Sequence, residues 1–189
     1  MKKKREIIEA LARLRSYRIG PISSIPPSSW NADDRTIALI AATNLEHSLE
    51  DAIASHFKGD TDKLRKRLPS GSHQSEGAVS TFFAKAWLSH ALGDFGPNTM
   101  EDLSTIRDIR NTFAHSAIEV SFETPAIADA CGFRLLDRIP WTDRLSRPTT
   151  SRDAYIYATH QLSGMIFCVT SPPSILDSET IEAFRALLS

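Results

Sequence analysis

Apolar side chains recur every three or four residues along most of this chain, and nowhere do they alternate over any length. Alternation is what a half-buried strand requires, and a 3.6-residue period is what a helix requires. The pattern predicts an all-α bundle of about six or seven helices with no sheet. With 189 residues the chain can bury one proper core. Its ordinary share of apolar and charged residues, 41% and 24%, fits a globular domain. Residues 1–30 read as an appendage: a basic amphipathic helix over 2–18, with Ile7, Ile8, Leu11 and Leu14 on its apolar side, then a proline-rich connector over 20–29. Residues 31–189 read as the helical domain. Within it Asn31 caps a helix reaching Phe57, with Ile37, Ile40, Ala41, Leu45, Leu49, Ala52 and Ile53 inward. A second helix over 78–92 buries Val79, Phe82, Phe83, Ala86, Trp87 and Leu92. Thr124 and Pro125 open a helix running to about Asp137. A helix over 153–169, apolar nearly all round, needs more cover than one neighbour supplies, and a short amphipathic helix follows over 177–188.

The densest stretch is 101–115, E-D-L-S-T-I-R-D-I-R-N-T-F-A-H. Thr99 caps it, with Asp102 in the first turn. Leu103, Ile106, Ile109 and Phe113 form its apolar stripe, while Ser104, Asp108, Asn111 and His115 share a polar face. At about 100° per residue, Arg110 falls about 20° from Leu103, on the dry side. An arginine on the dry side and an Asn/His pair on the wet side mark this helix as the candidate site.

Charge excludes some functions. A formal net charge of -1 gives no global field to recruit nucleic acid or an anionic membrane. The run Lys63, Arg65, Lys66 and Arg67 is the one local cluster, besides the N-terminus, suited to phosphate contacts. Glu46, His47, Glu50 and Asp51 sit together, but no H-E-x-x-H or second histidine at ligand spacing accompanies them, so no metal is expected. No cofactor is implied. Cys131 and Cys168 lack C-x-x-C spacing and read as buried free thiols. Without a signal peptide or a bilayer-spanning apolar run, the expected location is the cytoplasm.

The stretch L-S-T-I-R-D-I-R-N-T-F-A-H-S, with F-F-A-K-A-W-L-S-H-A-L-G before it and S-F-E-T-P-A-I-A-D-A-C after it, resembles the mannitol operon repressor family. The earlier D-R-T-I-A-L-I-A-A-T-N-L-E-H-S-L-E-D-A-I is similar to that family's first core helix, so the resemblance runs from Asp33 to Asp137. It implies a regulator of a metabolic operon that lacks a helix-turn-helix and works through a protein partner. The R-N-x-x-x-H pattern also looks like the signature of the wider HEPN superfamily, whose catalytic members cleave RNA without a metal. That likeness would make Arg110 and His115 catalytic, with Asn111 between them.

Two chemistries follow for the same residues. As a ribonuclease, His115 would move a proton to or from the reacting oxygens, Arg110 would hold the phosphate as charge builds, and Asn111 would orient the imidazole. Residues five apart on a helix point about 140° from each other, so a two-fold dimer would have to bring the parts together. As a structural unit, Arg110 would pair with a buried carboxylate, Glu46, and pin the helix register. The non-enzymatic regulator is the first expectation and the endoribonuclease or toxin the alternative. In either case a homodimer is expected, formed in part by the N-terminal helix.

Overall fold

The computed structural model describes residues 32–57, 79–139, 141, 147–170 and 176–189. The expected helix over 2–18, the connector, the Asn31 cap and the Lys63, Arg65, Lys66 and Arg67 cluster lie outside the described residues. Seven helices and no strands are found among the described residues: α1 (Asp34–Ser55), α2 (Phe82–Ala91), α3 (Pro97–His115), α4 (Pro125–Ala130), α5 (Arg134–Arg138), α6 (Ser151–Thr170) and α7 (Ser178–Leu188). The all-α expectation holds.

The helix starts follow from local chemistry. Asp33 caps α1, accepting the Thr36 amide at 2.9 Å and the Thr36 hydroxyl at 2.6 Å. Asp177 caps α7 in the same way, accepting the Thr180 amide at 2.7 Å. Thr81 caps α2 through the Ala84 amide at 3.1 Å. The cap of α3 differs from the expected Thr99. Gly96 precedes the helix and Pro97 takes the first turn, where a missing N–H costs nothing. Thr99 is buried and donates its hydroxyl to the Leu188 carbonyl at 2.7 Å. The Gly96 amide donates to that same carbonyl at 2.8 Å. A Cβ on Gly96 would lie 2.2 Å from the Ser189 backbone oxygen, so the close approach of the α7 end demands glycine there.

α6 runs through the middle of the bundle. Of its residues only Asp153 is exposed. α1 covers one side along most of its length, and α4, α5 and α7 cover others. The apolar surface, too large for one neighbour, is thus covered by several within the chain. Tyr155, fully buried, donates its hydroxyl to the Ala38 carbonyl at 3.0 Å, and Ser48 and Ser163 share a buried hydroxyl contact. Phe113, Phe122, Phe133 and Tyr155 pack ring against ring at the centre. Cys131 and Cys168 are free and buried, and burial pushes the Cys131 thiol up to about 12.

The helix expected from Thr124 to Asp137 is two helices. The chain breaks at 131–133, where Phe133 turns into the core at 1% exposure. Asp102 supplies the reason for the restart. Buried in α3, it accepts the Arg134 amide at 2.8 Å and the Leu135 amide at 2.9 Å. A carboxylate from another helix thereby satisfies two first-turn donors of α5, and burial pushes its carboxyl above the usual range.

Candidate functional site

α3 lies antiparallel to α1. Its last turn meets the start of α1, where Arg35 donates to the Ser116 carbonyl at 3.2 Å, and it begins near the far end, where His56 meets Asp94. This register decides the fate of Arg110. Six residues before Ser116, it lies opposite the first half of α1, more than a turn short of Glu46. The expected Glu46–Arg110 pair is therefore not formed. The Glu46 carboxylate instead meets Lys85 Nζ at 2.5 Å, and Glu50 meets the same nitrogen at 2.7 Å. Lys85 is 4% exposed at its side chain, so the buried ion pair of this bundle joins α1 to α2.

Arg110 is half-buried, and its Nη1 donates to Asn111 Oδ1 at 3.1 Å. Among the described residues it forms no salt bridge. It lies close enough to Tyr155 for its charge to favour the phenolate, although burial dominates and holds that hydroxyl far above its usual range. His115 is the last residue of α3 and exposed. No hydrogen bond joins it to Arg110 or Asn111 among the described residues. Arg110 and Asn111 are thus brought together, and His115 stands apart on the helix end.

A hydroxyl, a carboxylate and an imidazole also meet at the other end of the bundle. Asp94, 3% exposed at its side chain, accepts from the Ser89 hydroxyl and contacts His56 Nε2 at 2.6 Å. The carboxylate stands between the other two. An imidazole in that position cannot take the serine proton, as nucleophilic catalysis requires, so the trio is a clasp joining the ends of α1 and α2.

The feature that sequence reasoning missed is the outer face of α2. Phe82, Lys85, Ala86 and Ser89 turn inward, leaving Phe83 at 37% and Trp87 at 50% exposure. Leu92, just beyond the helix, is exposed as well. This corrects the expectation that Phe83, Trp87 and Leu92 belong to the core. The signal was present: Lys85 shares the helical face of Phe82 and Ser89, so its burial turns the aromatics outward. Phe83 and Trp87 meet edge to face with ring centroids 6.0 Å apart, and Trp87 meets His90 at 5.8 Å. The Arg107 guanidinium of α3 lies 4.4 Å from the Phe83 ring centre and is paired with Asp108 at 2.7 Å. His90 Nδ1 bonds the Phe95 carbonyl at 2.8 Å; since a carbonyl only accepts, that nitrogen carries the proton.

No group of three or more residues among those described could hold a metal ion, and no described helix is long and apolar enough to cross a membrane. No family model, characterised protein or solved structure matches the chain. The likeness to the mannitol operon repressor family therefore rests on the quoted residues.

Proposed function

We propose that this protein is a regulator that acts by binding another protein through the Phe83, Trp87 and Arg107 face, without a helix-turn-helix and without catalysis. The supporting observation is that face. Tryptophan, aromatic rings and arginine dominate binding energy at protein interfaces, and here three such groups are held against one another at the surface. The Arg107–Asp108 pair beside them supplies a polar rim. Control of a metabolic operon is the output that the family resemblance implies. The test is transcript profiling of a strain lacking the protein, complemented with the wild type or with Trp87→Ala. Restoration by the wild type and failure of a fully folded Trp87→Ala support the reading. Full restoration by that variant defeats it.

A metal-independent ribonuclease is the second reading, and one observation favours it. The Arg110 guanidinium is half-buried with an amide, not a carboxylate, as its partner, so its charge is left for an anion. His115, exposed at the helix end, would have to reach the same phosphate from another copy of the chain across a two-fold axis. Cleavage of RNA by the purified protein, abolished in His115→Ala, would establish it. No cleavage by the wild type, in the presence or absence of divalent cations, would remove it.

A further inference from the structure

The turn between α2 and α3 carries two connections on a single peptide group. The Phe95 carbonyl accepts from His90 Nδ1 at 2.8 Å, and the Gly96 amide donates to the Leu188 carbonyl of α7 at 2.8 Å. The Phe95 carbonyl and the Gly96 amide are the two ends of one planar unit, so neither can turn without the other. Each bond also polarises that unit in the sense that strengthens the other.

Both ends lead further. On the α7 side, Leu188 is fully buried, and its carbonyl also accepts from the Thr99 hydroxyl at 2.7 Å. It is the one buried residue of α7; Phe184 and Leu187 are half-buried against the core. On the α2 side, the His90 ring stacks on buried Phe95 at 5.9 Å and meets Trp87, one turn earlier, at 5.8 Å. Trp87 is half exposed, so its pose depends on few neighbours, His90 and Phe83 among them.

We propose that the end of α7 sets the pose of Trp87 through the Phe95–Gly96 peptide. With Leu188 docked, the peptide holds His90, and His90 holds the indole in the pose that a partner meets. With α7 lifted, the Gly96 amide loses its acceptor, the peptide is free to turn and the indole gains other rotamers. A partner that needs the held pose binds the docked form more tightly, and by reciprocity its binding tightens α7. A helix with so little buried surface suits such a device, because its release costs less than unfolding the bundle. The relay from α7 to Trp87 stands by itself; its consequence for regulation rests on the proposed partner face.

The test labels the full chain with 5-fluorotryptophan and follows Trp87 by fluorine NMR, its resonance identified by loss in Trp87→Phe. Phe184→Asp/Leu187→Asp places carboxylates at half-buried positions of α7 and lifts the helix. The Trp87 resonance should then shift toward its position in urea, while slow amide exchange in α1 shows that the bundle is intact. Thr99→Val removes one of the two donors to the Leu188 carbonyl at nearly constant shape, and should move the resonance the same way by less. If the double variant unfolds α1, Thr99→Val decides alone. In the reverse direction, His90→Phe keeps a ring but removes the donor, and the Gly96 amide should exchange about tenfold faster. A Trp87 resonance unmoved by the variants on the α7 side overturns the inference, and so does unchanged Gly96 exchange in His90→Phe. If the resonance moves but Trp87→Ala still restores transcription, the relay stands and the partner face fails. If Trp87→Ala abolishes regulation while the resonance stays put, the partner face stands and the relay fails.

Discussion

α2 and α6 are both rich in apolar and aromatic residues, yet the bundle treats them in opposite ways. α6 is enclosed by helices on several sides and leaves only Asp153 exposed. α2 spends its inward face on a lysine and presents two aromatic rings to the outside. A short helix at the margin has one side to bury. When that side carries Lys85, held by Glu46 and Glu50, the rings have nowhere else to go. The difference teaches that apolar content sets how much a helix can bury, while the placement of a single charge sets which face does so.

The largest effect expected from disturbing this arrangement is at Lys85. Lys85→Ala removes the buried cation that Glu46 and Glu50 both contact and should cost on the order of 3–5 kcal/mol in urea unfolding. Rescue to near wild-type stability by Lys85→Met together with Glu46→Gln and Glu50→Gln would sharpen the assignment to charge. Leu162→Ala in α6 opens a cavity at a fully buried position, with a loss of about 2–5 kcal/mol. Loss under about 1 kcal/mol there would show that α6 is not central.

Asp102 and the two capping aspartates should respond to acid with opposite signs. Burial raises the Asp102 carboxyl, so its contribution is fullest below 3.8, the unfolded value, and declines as pH rises through the folded value. Asp33 and Asp177 are lowered by their threonine partners, so their contributions are present above 3.8 and lost as pH falls through the folded values. Melting temperatures of Asp33→Asn/Asp177→Asn should therefore converge on the wild type in acid. Asp102→Asn should stay less stable by about 1–3 kcal/mol at neutral pH, because its amide nitrogen faces a backbone N–H of α5. Equal stability of Asp102→Asn and wild type would remove Asp102 as the cap of α5.

Much of this fold was readable in the sequence because periodicity and caps are local. The helices expected over 78–92, 101–115, 153–169 and 177–188 are α2, α3, α6 and α7, with ends moved by a few residues. What was not readable depended on contacts between distant residues. At 131–133 Gly132 is a local stop signal, but the immediate restart at Arg134 depends on Asp102, some thirty residues earlier. Glu46 was expected to meet Arg110 and instead meets Lys85. Arg110 and Lys85 both lie on apolar sides of their helices, and only the register of α3 against α1 decides between them. The Arg110, Asn111 and His115 motif was legible as residues; that Arg110 and Asn111 bond while His115 stands apart was not.

The smallest stability effect, and the most informative, belongs to Trp87. Half exposed and meeting Phe83 and His90 edge to face, it can be truncated at little cost, so Trp87→Ala should cost about 1 kcal/mol or less. The direct test of a recognition face on α2 is to measure urea unfolding and transcriptional output for that one variant. The account predicts near wild-type unfolding with loss of regulation. Intact regulation, or a loss of stability comparable to that of Leu162→Ala, would contradict it.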